Sequence, residues 1–411
     1  MTSAPTSRRP GFTALRDRRF VALFAAHAVS NLGDWLAFMA LYQRVALEWR
    51  AGPATLGVLG AAYLAPLALV APMAGVVVDR SPLRRVLIAT DLGRAALVLG
   101  LAATHNLATM CVLLFGLQAL GCFFNPAQSA AVARLVPAAN LLGANALTTQ
   151  AAHLSKILGP AIAGLLVGAF GAGSCFVADA ASFAASGLVL WTLPALPPLG
   201  PKTAGRTSLA AELRTGVQLL LQTPELRRTV AAALAGVGAM GVWLAVFGPL
   251  ARDRWHADAR WTGFLVSCLG AGAVCGAATA VGLARQHRPM VLLHAALFGL
   301  AVALAAAAFA GSRLGAIATS AAIGMALGVI LVCATTLLQT HTPPVALGRV
   351  SSVAIAAVGL AETVCALVAG GAARFAAASS VLLVAAGVLM MLALALGLAL
   401  RAARPADPAG G

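Results

Sequence analysis

Apolar residues run along this chain in long blocks cut by short charged or proline-bearing gaps. A window of roughly 19 residues resolves twelve such blocks. Six lie in the first half, at about 20–47, 54–78, 86–104, 107–133, 145–169 and 174–193. Six lie in the second, at about 229–250, 261–284, 289–309, 314–338, 350–373 and 379–400. A helix needs about 20 apolar residues to cross a hydrocarbon layer of about 30 Å, so each block predicts a transmembrane helix.

One long polar segment, residues 194–228, divides the blocks six and six. The pattern therefore predicts a tail at 1–19, a helical bundle at 20–193, a linker at 194–228, a second bundle at 229–400 and a tail at 401–411. Within the linker, Leu209, Leu213, Val217 and Leu220 fall near helical spacing after Ser208, a fitting N-cap, and predict an amphipathic helix on the membrane surface. The halves echo each other at an offset of about 207 residues, Gly75 with Gly282, Pro137 with Pro344 and Gly164 with Gly371. A parallel six-plus-six repeat predicts two bundles around a central cavity, as in alternating-access carriers.

Composition agrees with this reading. With 61% hydrophobic and 10% charged residues in 411, the chain lacks the polar surface to coat a soluble globule. The net charge of +16 would suggest nucleic acid in a soluble protein, but the basic residues sit in the gaps between blocks and read as topology, so no nucleic-acid partner is expected. With the N-terminus in the cytoplasm, 19 of the 28 Lys and Arg fall on that side and 7 on the other, while Arg94 and Lys156 lie within blocks. Both termini are thus expected in the cytoplasm, with the basic N-terminus a tail and not a signal peptide. The seven cysteines show no CxxC spacing and read as packing residues.

The gap between the second and third blocks, GVVVDRSPLRR, contains Gly75, Asp79, Arg80, Arg84 and Arg85. It resembles the signature loop between helices 2 and 3 of the major facilitator superfamily, and the resemblance extends over essentially the whole chain. It implies a cytoplasmic gate at this loop, with Asp91 and Arg94 as its charged partners. From the residues alone, the loop's arginines could equally bind lipid phosphates or only enforce orientation. Three segments, Ser30–Leu41, Phe123–Leu147 and Asp179–Leu190, resemble the macrolide-efflux and enterobactin-exporter branch. In LGPAIAG, Gly159, Pro160 and Gly164 match the exporters' helix 5 packing motif, with Ala163 where the first glycine of a pair would stand. The superfamily also implies a monomer.

Charges inside the blocks are the candidate chemistry. Asp34 lies about 14 residues from either end of its block, close to the midplane at roughly 1.5 Å per residue. An acid there is costly unless paired, solvated or protonated, which suits proton coupling; a capping role beside Asn31 and Gly33 is the plainer alternative. Lys156, His153 and Gln150 share a face of the fifth block, and Lys156 could neutralise Asp34. Glu362, beside Gly359 and Thr363, is the deep carboxylate of the second half, a candidate for coupling, cation recognition or a helix-to-helix hydrogen bond. Asp179, about five residues into its block, reads as structural and near the outer surface. Asn31, Trp35, Phe38, Tyr42, Gln118, Phe123, Phe124 and Asn125 offer aromatic surface and amides to an amphipathic substrate.

No P-loop, HExxH, nucleophile elbow or Cys/His cluster is present, so neither an enzyme nor a cofactor is expected. The expectation is a proton-coupled exporter of drugs or an amphipathic secreted metabolite, such as a siderophore or macrolide, in a bacterial inner membrane. Its partners would be that substrate, protons and membrane lipids. A lysophospholipid transporter of the same superfamily and a non-transporting membrane scaffold or sensor are the alternatives.

Overall fold

A computed structural model of the chain describes residues 14–137, 140–197, 209–284, 286–343 and 346–402. Among the described residues it is helical almost throughout and contains no strand. The first half comprises α1 (Arg18–Gln43), α2 (Pro53–Leu69), α3 (Ala71–Asp79), α4 (Leu83–Ala103), α5 (Leu107–Leu135), α6 (Leu141–Phe170) and α7 (Ala172–Trp191). After α8 (Leu209–Gln222), the second half comprises α9 (Pro224–Pro249), α10 (Ala259–Leu283), α11 (Pro289–Phe309), α12 (Arg313–His341), α13 (Leu347–Ala372) and α14 (Ala378–Ala402). Eleven of these are long and apolar enough to cross a membrane. The chain is a multi-pass membrane protein.

The predicted span 54–78 is not one helix. α2 stops at Leu69 and α3 begins at Ala71, with Val70 between them. Pro72 stands in the first turn of α3. A proline has no amide hydrogen to return to the preceding turn, so the helical hydrogen-bond ladder is interrupted there. Two later helices begin on side-chain caps. Asn106 Oδ1 accepts from Thr109 N at 3.1 Å to start α5, and Ser312 Oγ accepts from Gly315 N at 3.1 Å to start α12. Gly171, at φ +78°, ends α6 in a conformation open to glycine.

The internal echo reappears in the backbone. α1 and α9 are each 26 residues long and each runs on into a five-residue π-helical turn, Arg44–Glu48 and Leu250–Arg254. Ser208 and Pro344, used above as a cap and as part of the echo, lie outside the described residues, as does the tail before residue 14.

The chain forms two compact units. The first comprises Met1–Arg44, Pro66–Ala204 and Ala259–Ser267; the second comprises Val45–Ala65, Gly205–Asp258 and Cys268–Gly411. They follow the two halves except that the first parts of α2 and α10 are exchanged. Glycine accounts for both exchanges. A Cβ on Gly57 of α2 would strike the Ala366 carbonyl of α13, and one on Gly263 of α10 would strike the Pro160 carbonyl of α6.

In the first unit, α1 packs on α6 and α7, and α4 on α5 and α7. Phe20, Leu23, Leu83, Leu87, Phe124 and Leu190 form a solvent-free core there. In the second, α9 is central, against α12, α13 and α14, and α8 packs on α13. α10 and α12 approach backbone to backbone through two matching pairs, Gly272 and Gly276 facing Ala321 and Met325, and Gly324 and Gly328 facing Leu269 and Ala273.

Candidate functional site

The first unit gathers four charged side chains in one cluster, three of them buried. α4 presents Asp91 and Arg94 three residues apart, on one helical face. Asp91 Oδ1 accepts from Arg94 Nη2, and Asp91 Oδ2 accepts from the Ser186 hydroxyl of α7. Arg94 Nη1 lies 3.6 Å from Asp34 Oδ2 on α1. The guanidinium carbon stands 4.4 Å from the ring centre of Phe124 and 4.3 Å from that of Phe183, so aromatic faces from α5 and α7 hold it as well. His27, one helical face along α1, stacks on Phe124 at 6.1 Å.

Asp179 is the fourth member. It is fully buried on α7, and its Oδ1 accepts from Ser182 Oγ at 3.3 Å. Its Oδ2, like Arg94 Nε, finds no hydrogen-bond partner among the described residues. Gly33 explains how α7 comes so near α1: a Cβ there would run into the Asp179 carboxylate and the Ser182 hydroxyl. Asp34 and Asp91 thus share one guanidinium, and the Asp179 carboxyl is buried against α1 beside Gly33, in a region that spans the membrane. Full ionisation of all three would leave net negative charge in a medium that does not solvate it. Asp34 is its open member: its side chain is 36% exposed, against 6% for Arg94 and 0% for Asp91.

Several expectations change here. Asp34 pairs with Arg94, not with Lys156; Lys156 is exposed on α6 and makes no ion pair among the described residues. Asp91 and Arg94 bond within the cluster, about two turns along α4 from the signature loop, and not to the loop's own arginines. Asp179 belongs to the core and not to the outer surface, because small residues on α1 let α7 close over it. The signal was present in the sequence. Asp34, Phe124 and the run Asp179, Ser182, Phe183 and Ser186 come one from each of the three segments that resemble the exporter branch, and all belong to this cluster.

The signature loop contacts the start of the linker. Leu83 N donates to Leu196 O at 3.0 Å and Arg84 Nη1 to Leu193 O at 2.8 Å, while Arg134 at the end of α5 donates to Pro197 O. Arg80 and Arg85 are exposed, Gly75 has open space where a Cβ would stand, and the side chain of Asp79 is not among those described.

The remaining candidates divide between packing and open surface. Gly159 of α6 lies against Trp35 of α1, and Gly164 against Ala259 and Arg260 of α10, while Ala163 between them is fully buried. Trp35 meets Phe38 edge-on at 5.8 Å, and Phe38 stacks on Tyr42 at 6.4 Å. Asn31 Oδ1 is buried without a hydrogen-bond partner. Gln118 and His153 are half-buried, and Asn125 and Gln150 are exposed. In the second unit, Glu362 is half-buried on α13 where Gly241 of α9 presses against its backbone, and its carboxylate has no ion pair among the described residues. No group of three or more His, Cys, Asp or Glu among the described residues could hold a metal ion.

Comparison with known proteins agrees with this architecture. The family model described as Major Facilitator Superfamily matches residues 23–366. A relative titled "Uncharacterized MFS-type transporter YfiS", from Bacillus subtilis (strain 168), is 28% identical over 206 residues, 50% of this chain and 49% of its own. The enterobactin exporter EntS of Escherichia coli O1:K1 / APEC is 31% identical over 222 residues, 54% of this chain and 52% of its own. The chain thus spans about half the length of the curated relatives it matches. Among solved structures, the nucleoside transporter NupG aligns at a TM-score of 0.76 with 14% identity, covering 93% of this chain and 99% of its own. A bacterial homolog of the human lysosomal transporter Spinster aligns at 0.69 with 14% identity, covering 96% of each. At these identities the structural likeness concerns the fold.

Proposed function

Because the chain belongs to the Major Facilitator Superfamily, we propose that it is a proton-coupled exporter of amphipathic small molecules, with the Asp34–Arg94–Asp91–Asp179 cluster as its proton site. The observation that carries this reading is the sharing of one guanidinium by Asp34 and Asp91 within the spanning helices, with Asp179 buried against α1 beside Gly33 and Asp34 alone partly open. The likeness to the enterobactin exporter EntS supports export of a secreted metabolite as the cargo class, and the aromatic ladder of Trp35, Phe38 and Tyr42 beside Asp34 suits a large apolar surface.

The chemistry follows from charge balance. With Asp34 ionised, Arg94 is held between it and Asp91, and α1 is tied to α4. A proton on Asp34 removes its attraction for Arg94, which keeps its bond to Asp91 and its two aromatic faces. The α1–α4 tie is then released and the cluster's charge changes by one. Alternating loss and gain of this tie couples protonation to a change between two packings. Glu362, the deep carboxylate of the second half, serves recognition of a cationic group on the cargo. Both termini lie in the cytoplasm, on the side that collects most Lys and Arg.

The reading is tested in a bacterium deleted for its major efflux pumps. Cells producing the wild-type chain should accumulate less of at least one member of a panel of macrolides, catecholate siderophores and cationic dyes than empty-vector cells, and Asp34→Asn should abolish the difference. Equal accumulation of every compound in all three strains would refute it.

A further inference from the structure

The second unit contains a cleft that the transport reading does not use. It lies between α13 and α14 over α9 and has a volume of about 420 Å³, within the range of ligand sites. Gly238 of α9 opens its floor, since a Cβ there would stand 3.1 Å from Cys365 Sγ on α13. Its long wall is one face of α14, with Ser380, Val384, Val388 and Leu392 at four-residue spacing. Of its 18 lining residues, Ser380 and Cys365 alone carry a polar side-chain atom, so water would find almost no hydrogen-bond partner inside.

Position and length specify the occupant. From Ser380 to Leu392 the wall runs 12 residues, roughly 18 Å of helix. Half of a hydrocarbon core of about 30 Å is about 15 Å, so the cleft matches the depth of one leaflet. Its mouth is the turn between α13 and α14. There Arg374 is exposed between Ala372 and Ala376, both of which line the cleft, and it makes no ion pair among the described residues. Phe375 beside it is 93% exposed, as suits an aromatic at the polar boundary of a bilayer. An apolar slot one leaflet deep with an unpaired cation at its rim is complementary to a fatty chain ending in a phosphate.

We infer that this cleft binds one phospholipid, with an acyl chain along α14 from Ser380 to Leu392 and the phosphate on Arg374. The lipid is a resident of the protein and not its cargo, and the inference stands whether or not the cluster around Arg94 moves protons. With both termini cytoplasmic, the lipid belongs to the outer leaflet.

Native mass spectrometry of the full chain, purified in a mild detergent and titrated with palmitoyl-oleoyl phosphatidylglycerol or the matching diacylglycerol, tests this. The wild-type chain should retain one phosphatidylglycerol per monomer and bind it about tenfold more tightly than the diacylglycerol. Ala385→Phe, which fills the cleft, should remove retention of both. Arg374→Gln, at an exposed turn where folding is not at risk, should lower phosphatidylglycerol binding to the level of the diacylglycerol. Leu188→Phe, on the exposed side of α7 in the other unit, should change neither. Unchanged retention in Ala385→Phe, equal binding of the two lipids by the wild type, or a lipid-free dimer that Ala385→Phe dissociates would each overturn the assignment. Should Ala385→Phe fail to fold, unchanged phosphatidylglycerol binding by Arg374→Gln would overturn it alone.

Discussion

Removing the guanidinium of Arg94 would leave Asp91 and Asp179 buried with no cation, and would strip the faces of Phe124 and Phe183 of their partner. Breaking a buried ion pair from one side costs about 3–5 kcal/mol. Arg94→Ala should therefore show a marked fall in thermal unfolding temperature in detergent. Arg94→Lys, which keeps the charge but not the planar fork or the stacking, should fall between it and the wild type. Arg94→Gln combined with Asp91→Asn should recover part of the loss by restoring the charge count. An Arg94→Ala chain as stable as the wild type would mean that the carboxyls find solvation elsewhere. Gly33→Ala is the companion test, since its added Cβ meets Asp179 and Ser182; a loss of about 1–3 kcal/mol is expected in the same assay. These residues also mark how far a sequence can be read. Asp34 stands out by depth alone, because an intramembrane acid is costly wherever its neighbours are. Its partner does not stand out: choosing Arg94 over Lys156 needs the rotation of α1 against α4 and α6, which no single helix encodes. Asp179 is misread for a related reason, since its burial is set by a glycine about 146 residues earlier in the chain.

At the scale of elements, long apolar blocks were sufficient to place the helices, because a bilayer imposes both their length and their internal hydrogen bonding. The block 107–133 became α5 at Leu107–Leu135, and 289–309 became α11 at Pro289–Phe309. Block hydropathy does not register the break at Val70 or the two π-helical turns, which depend on one proline and on local geometry. It also passes over the paired glycines of α10 and α12, although a Gly-x-x-x-Gly spacing in an apolar helix was there to be read at Gly272 and Gly276 and at Gly324 and Gly328. Both pairs face carbonyls of the opposite helix, so neither tolerates a side chain. Gly324→Leu should force α10 and α12 apart, at a cost of about 3 kcal/mol or more. Size-exclusion chromatography should show loss of the monodisperse peak, whereas Gly299→Leu, at a glycine with open space around it, should elute as the wild type does.

At the scale of the whole molecule, the two compact units nearly reproduce the two sequence halves, and the exchanged parts of α2 and α10 follow from close contacts at Gly57 and Gly263. The proposed orientation rests on charge, not on packing. A cysteine placed at Ser81, in the turn between α3 and α4, of an otherwise cysteine-free chain should be shielded from an impermeant maleimide in intact cells. One placed at Arg374 should react. The reverse pattern would invert the topology and move the phospholipid cleft to the other leaflet. The central claim, that protons enter through the cluster around Arg94, is tested most directly by gradient-driven transport in everted vesicles, using a dye identified by the accumulation screen. An imposed acid-lumen gradient should raise dye uptake several-fold over the ungraded control for the wild type. Asp34→Asn should lose that response while still exchanging internal for external dye at zero gradient. Full gradient-driven uptake by Asp34→Asn would contradict the account.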